Sequence, residues 1–211
     1  MTRTIKHTRK RDDLIQVGRD IVVRQGFNAT GLSNILATAG VPKGSFYYYF
    51  ESKEDFGLAI IEDFVSEYQQ KLATSLGNQE LSPLARLSRY FELGIADMET
   101  SDCASGCLIG NLAQEMSAQN ELFRDRLNQV LTAWETQFAD CIEDAYAAGE
   151  LAGELAESCN ALDLAKFILA GWQGAMLRAK VTQSTEPLYT FIRILFEQIL
   201  HQPVPARSTA G

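Results

Sequence analysis

The chain has 211 residues, 46% of them apolar, enough to bury a sizeable core and to exclude a disordered protein. It holds no uncharged apolar run of the roughly eighteen residues that a membrane span needs. Its first twenty residues are basic and then amphipathic, without the apolar stretch of a secretory signal, so a cytoplasmic location is expected. In that setting the four cysteines are expected to be reduced thiols rather than a disulfide framework.

The net charge of −8 argues by itself against a nucleic-acid binder, but its distribution points the other way. Residues 1–53 carry nine Lys/Arg against four acids, a balance of +5, and the remaining 158 carry ten against twenty-three, or −13. A polyanion is attracted to the first quarter of the chain and repelled by the rest.

In chain order, the first helix is expected from Lys10 to Gln25, with Leu14, Val17, Ile21 and Val22 on one face and Gly26 just past its end. The preceding arm, Arg3–Arg11, is open to two readings, a minor-groove contact or a solvated tail. Thr30 is placed to cap a second helix that ends at Gly40, and Pro42 opens a third through Tyr49. Ser52 and Asp55 make a capping-box-like start for a long fourth helix, whose Phe56, Ile60, Phe64, Tyr68 and Leu72 recur every four residues.

Beyond Gly77 a helix is expected over Pro83–Met98, then the polar stretch TSDCASG, then a helix beginning near Cys107. Asn120 is the expected cap of a long helix carrying Phe123, Leu127, Val130, Trp134, Phe138 and Ile142, closed by Gly149. The last two helices, Ala161–Lys180 and Pro187–Leu200, are apolar over more than one face, so each needs two burial partners. A second subunit is the simplest second partner, which predicts a homodimer through these helices.

Residues 32–50, LSNILATAGVPKGSFYYYF, read as helix, glycine turn and second helix. Val41 and Phe46 face inward, leaving Lys43, Ser45, Tyr47, Tyr48 and Tyr49 outside. A cation, a hydroxyl and three hydroxyl-tipped aromatics suit phosphates and thymine methyls in a major groove.

At this point the sequence resembles the TetR family of repressors. The stretch GVPKGSFYYYFESKEDF matches that family's turn, recognition helix and following lysine, over about residues 10–60. The resemblance implies that Lys43, Gly44 and Ser45 approach base edges, while Tyr47, Tyr49, Lys53 and Thr30 hold phosphates and Tyr48 does either. The expected organisation is all-α, with a three-helix helix-turn-helix domain and basic arm over 1–53. A larger helical domain for ligand sensing and dimerisation follows over 54–202, and a flexible tail over 203–211.

A repressor needs an input. If Ser105 is the N-cap, Cys107 falls in the first helical turn, where unpaired N–H groups favour a thiolate. Cys103 is the poorer candidate, because Asp102 beside it disfavours that anion. The stretches SGCLIGNLAQE and GWQGAMLRAKVTQSTEPL look like the branch of TetR regulators that sense electrophiles and oxidants and control reductase genes. That likeness implies a reactive Cys107 with Lys180 beside it, although regulators of short unsaturated acids share much of the framework. The alternative reading of Cys107 is a small buried residue at a helix start. The main alternative input is a non-covalent organic inducer in a cavity lined by Phe91, Trp134, Phe138, Trp172 and Tyr189, residues that also read as plain core.

Other chemistry fits less well. Cys103 and Cys107 are not in a CxxC arrangement and the two histidines stand near opposite termini, so no metal is expected. With no nucleotide-binding glycine loop, HExxH or Cys/His pairing, neither an enzyme nor a bound cofactor is expected. The −13 body argues against a non-specific architectural binder.

Overall fold

With Gly and Pro confined mostly to segment ends, almost every stretch of this chain can close helical hydrogen bonds, and the fold is all-α. The computed structural model describes residues 2–151 and 154–205, with side chains from residue 9 onward except 154 and 156; among the described residues there is no strand. The tail expected at 203–211 lies outside the described residues from 206 on. No helix among them is long and apolar enough to cross a membrane.

The helices are α1 (Thr2–Gln25), α2 (Leu32–Thr38), α3 (Phe46–Tyr49), α4 (Lys53–Thr74), α5 (Pro83–Thr100), α6 (Leu108–Met116), α7 (Glu121–Ala147), α8 (Glu154–Ser158), α9 (Ala161–Thr182) and α10 (Glu186–Ile194). A 3-10 turn, Lys43–Ser45, leads into α3, and a π-helical turn, Leu195–Ile199, extends α10. Two compact units emerge, one from residues 1–67 and 107–128, the other from 68–106 and 129–211.

In the first unit the apolar faces of α1, α2, α3, α4, α6 and the start of α7 bury Leu14, Val22, Ile35, Leu36, Phe46, Phe56, Ile60, Ile109 and Phe123. Three rings knit the helix-turn-helix to α4: Phe50 lies 4.8 Å from Phe56, and Phe46 lies 5.4 and 5.6 Å from them. Such pairs add about 0.5–1.5 kcal/mol each beyond their buried area. Gly40, at φ +64°, lets α2 stop abruptly. Its N–H donates to the Ala37 carbonyl (3.2 Å) and that of Val41 to Leu36 (2.8 Å), the paired bonds of a Schellman ending.

In the second unit the core is aromatic. Phe91 and Trp172 lie 4.8 Å apart, Tyr90 and Phe138 4.8 Å, and Tyr68 and Trp134 4.5 Å. Arg86 is buried and donates to Asp144 (2.7 Å), to Gln79 (2.9 Å) and to the Leu81 carbonyl (3.0 Å), which ties the start of α5 to α7. Helices α9 and α10 pack on each other, with the Trp172 ring 5.8 Å from that of Phe191; Leu164, Ile168, Trp172, Leu188 and Ile192 are buried, while Phe167, Leu177, Val181 and Ile194 stay exposed. An exposed apolar stripe, Phe167, Leu177 and Val181, thus remains on α9, whereas the apolar residues expected on two faces of α10 are mostly buried within the chain, leaving Ile194 and Tyr189 partly exposed.

Several boundaries differ from the sequence expectation. Helix α1 starts at Thr2, so the backbone of the Arg3–Arg11 arm is helical, and Arg11 sits 5.0 Å over the Phe50 ring. The N-cap of α2 is Gly31 rather than Thr30, because the Thr30 hydroxyl turns back to donate to the Gly26 carbonyl at 2.6 Å. The N-cap of α6 is Cys107 itself, not Ser105. Asn120 does cap α7, accepting the Phe123 N–H at 3.1 Å, and Ser52 accepts the Asp55 N–H at 3.0 Å. Helix α8 and the Asn160 cap of α9 carried no expectation.

Candidate functional site

The segment after Gly40 is built to present side chains rather than to bury them. Pro42 holds φ at −58°, the 3-10 turn Lys43–Ser45 follows, and a single α turn completes the element. Phe46 alone is buried and acts as the anchor. Lys43 and Gly44 are exposed and Ser45 is half-buried. Tyr47 and Tyr48 are 72% and 64% exposed, unusual for large aromatics on a monomeric surface, and Tyr49 is half-buried with its ring 5.3 Å from that of Tyr48. The outward set expected from the sequence is thus brought together on one short element.

Lys53, at the first position of α4, is held from the other side. Its Nζ lies 3.4 Å from the Asn28 carbonyl and 4.8 Å above the Phe27 ring. Thr30 is only 1% exposed and its hydroxyl is engaged by Gly26, so it offers no surface to a phosphate, which corrects the role expected of it. The loop it occupies is fixed by a residue that sequence reasoning missed. The Glu115 carboxylate of α6 accepts the N–H groups of Phe27 (2.7 Å) and Asn28 (2.6 Å), and Asn111 donates to the Val23 carbonyl at 3.2 Å. The available signal was an acid and an amide in the apolar run LIGNLAQEM, with no local cue to their partners.

The thiols divide by environment. Cys107 is buried, with extended backbone (φ −87°, ψ 122°), and its carbonyl accepts the Asn111 N–H that starts α6. It stands at the N-cap, one position before the first helical turn. Lys180, on α9, donates to the Ser105 carbonyl at 3.3 Å. Burial raises the Cys103 thiol above its ordinary value, and the Asp102 and Glu99 charges raise it further. Asp102 and Cys103 both adopt positive φ, +49° and +57°, a left-handed pair that non-glycine residues rarely form. Cys141 is deeply buried and its thiol is pushed up to about 12.

Phe91, Trp134, Phe138 and Trp172, the candidate cavity lining, are each at most 1% exposed and lie in one aromatic cluster with Tyr68 and Tyr90. Tyr189, at the rim of α10, is 36% exposed and lies 3.4 Å from Glu99. Among the described residues no three His, Cys, Asp or Glu side chains gather in a metal-binding arrangement.

Comparison with known proteins bears directly on this geometry. Residues 14–60 match the family described as "Bacterial regulatory proteins, tetR family", and residues 83–195 match "Tetracyclin repressor-like, C-terminal domain". The chain is 36% identical to the HTH-type transcriptional repressor DhaR of Mycobacterium sp. (strain GP1), covering 90% of this chain and 92% of DhaR. It is 38% identical to the transcriptional regulator AcuR of Cereibacter sphaeroides, over 85% of this chain and 80% of that one. The crystal structure of reduced NemR from Escherichia coli superimposes with a TM-score of 0.77 at 32% identity, covering 86% and 92% of the two chains. These relatives are regulators of transcription rather than enzymes. The first match spans the helix-turn-helix and its anchoring rings, and the second covers more than half of the chain, so this protein belongs to the TetR family of bacterial transcriptional regulators.

Proposed function

We propose that the protein is a homodimeric repressor that leaves a palindromic operator when Cys107 reacts with an electrophile or oxidant. The observation that carries the DNA-binding half is the exposed element Lys43–Tyr49, which places a cation and three phenol hydroxyls on the basic part of an otherwise acidic chain. In this reading Lys43, Gly44 and Ser45 approach base edges, Tyr47, Tyr49 and Lys53 hold phosphates, and Tyr48 serves either role. The exposed Phe167, Leu177 and Val181 of α9, with Ile194 of α10, support pairing through these helices. Two recognition elements then sit about 34–36 Å apart, one DNA turn, as a palindrome requires.

The sensing half rests on Cys107 at the start of α6, the helix whose Glu115 and Asn111 grip the end of α1 and the following loop. An adduct on a buried N-cap residue must displace α6 or its entry, and α4 moves with the head that it opens. That shift biases a two-state equilibrium towards the released form. Lys180 is assigned the supporting role of a cation beside the Ser105 carbonyl. Operator binding is measured before and after alkylation with N-ethylmaleimide, with each cysteine replaced in turn. Loss of binding that disappears in Cys107→Ser supports the switch; release that persists in that variant ends it.

A second reading has its own observation. Phe91, Trp134, Phe138 and Trp172 form a continuous aromatic cluster in the second unit, and in this reading its rings part to admit a small organic molecule such as a short unsaturated acid. Reversible release by such an acid in a cysteine-free variant distinguishes it from the thiol switch.

A further inference from the structure

We infer that Glu115 is a positioning residue for sequence-specific DNA binding, acting through the Phe27–Asn28 dipeptide at the corner between α1 and α2. The corner comes from the end of α1, where Gly26 takes φ +86° and its N–H still closes on the Val22 carbonyl. The next two amides have left the helix, and both turn to the Glu115 carboxylate, Phe27 N–H to Oε2 at 2.7 Å and Asn28 N–H to Oε1 at 2.6 Å. Bonds of this length to an ionised carboxylate are charge-assisted, roughly twice as strong as neutral ones. The grip is matched to Gly26: a Cβ there would lie 3.0 Å from Oε2 at a backbone angle that L residues rarely adopt.

The same dipeptide is held on its other side. The Asn28 carbonyl faces the Lys53 ammonium at 3.4 Å, the Phe27 ring lies under that ammonium, and the Phe27 ring packs at a tilt of 52° with its centroid 5.1 Å from that of Phe123. A carboxylate on the N–H side and an ammonium on the C=O side therefore bracket one peptide segment. This segment sets where α1 stops and where α2 begins. Since α2 carries the turn that aims Lys43–Tyr49, a slack corner lets the recognition element tilt while the basic surface remains. Registered base contacts are then lost before the general attraction to phosphates, which depends on charge rather than on angle.

Glu115→Gln keeps the size but presents one acceptor and an NH2 group where two acceptors stood, leaving one amide facing a donor. The test uses the full-length protein and two duplexes, one selected by the wild type from random-sequence DNA and one scrambled duplex of the same length. The expected result is about a tenfold or greater loss of affinity for the selected duplex, the size of one charge-assisted hydrogen bond, with the scrambled duplex changed less than twofold. Parallel loss on both duplexes, or no loss on either, overturns the proposal. Amide exchange in the wild type is a second measurement that needs no variant. Phe27 and Asn28 should exchange well below the rate of an open loop, and exchange at the open-loop rate overturns it equally.

Discussion

Replacing Lys53 with Ala separates two effects that the structure places on one side chain. If the ammonium contacts a phosphate, its loss flattens the dependence of log K on log salt by about 0.9 for one phosphate. Between 50 and 200 mM salt, a fourfold change, the advantage of the wild type over the variant then shrinks by roughly 3.5-fold. This change appears on selected and scrambled duplexes alike, because phosphates carry no sequence. The local tether is the other effect: Nζ lies at the long limit of hydrogen bonding to Asn28 and over the Phe27 ring. Losing it costs about 0.5–1 kcal/mol, seen in the melting temperature and not in the salt slope. Fluorescence-anisotropy titrations at four salt concentrations, with thermal melts of the free protein, resolve the two. Lys53→Arg keeps the charge and should retain the slope. An unchanged slope in Lys53→Ala removes Lys53 from the phosphate contacts and leaves it a purely structural residue.

Thr30→Val removes the hydroxyl that donates to Gly26 while keeping the shape, and should destabilise the protein by about 1–2 kcal/mol in urea unfolding without altering the salt slope; a changed slope would restore Thr30 as a phosphate contact. Gly94→Ala should cost about 1–3 kcal/mol, because the new Cβ meets Trp172 Cζ2 at 2.7 Å in a fully buried cluster; an unshifted urea midpoint would mean that this cluster has room to yield. Burial holds the Cys141 thiol at about 12, above its ordinary 9.0, so the folded state keeps the proton more tightly than the unfolded one. The resulting stability is complete below pH 9 and is lost as pH rises from 9 to about 12, up to about 4 kcal/mol, and a Cys141→Ala variant should not show that loss. An equal alkaline decline in the variant would assign it to other groups.

Local patterns made much of the fold legible. The Gly26, Gly40 and Gly149 stops and the Asn120 and Ser52 caps each depend on neighbours within a few residues, where hydrogen-bond geometry is set by the chain itself. The same local logic failed at Thr30 and Ser105. A hydroxyl near a helix start has several carbonyls and amides within reach, and Thr30 found the one behind it. At the thiol turn Gly106 takes φ +69°, outside the helical region, so α6 starts only after it and Cys107 becomes the cap.

The sequence by itself determined that the chain is helical, that its first quarter is a basic helix-turn-helix, and which side chains of Lys43–Tyr49 face outward. Each follows from periodicity, glycine placement and charge counting, all properties of short range. Only the tertiary structure decided that Thr30 is buried, that the Arg3–Arg11 backbone extends α1, and that Glu115 holds two amides 87 and 88 residues away in the chain. A carboxylate's preference for unpaired N–H groups is general, but which amides it reaches depends on how α6 lies against α1, and that is fixed by packing of apolar faces distant in sequence.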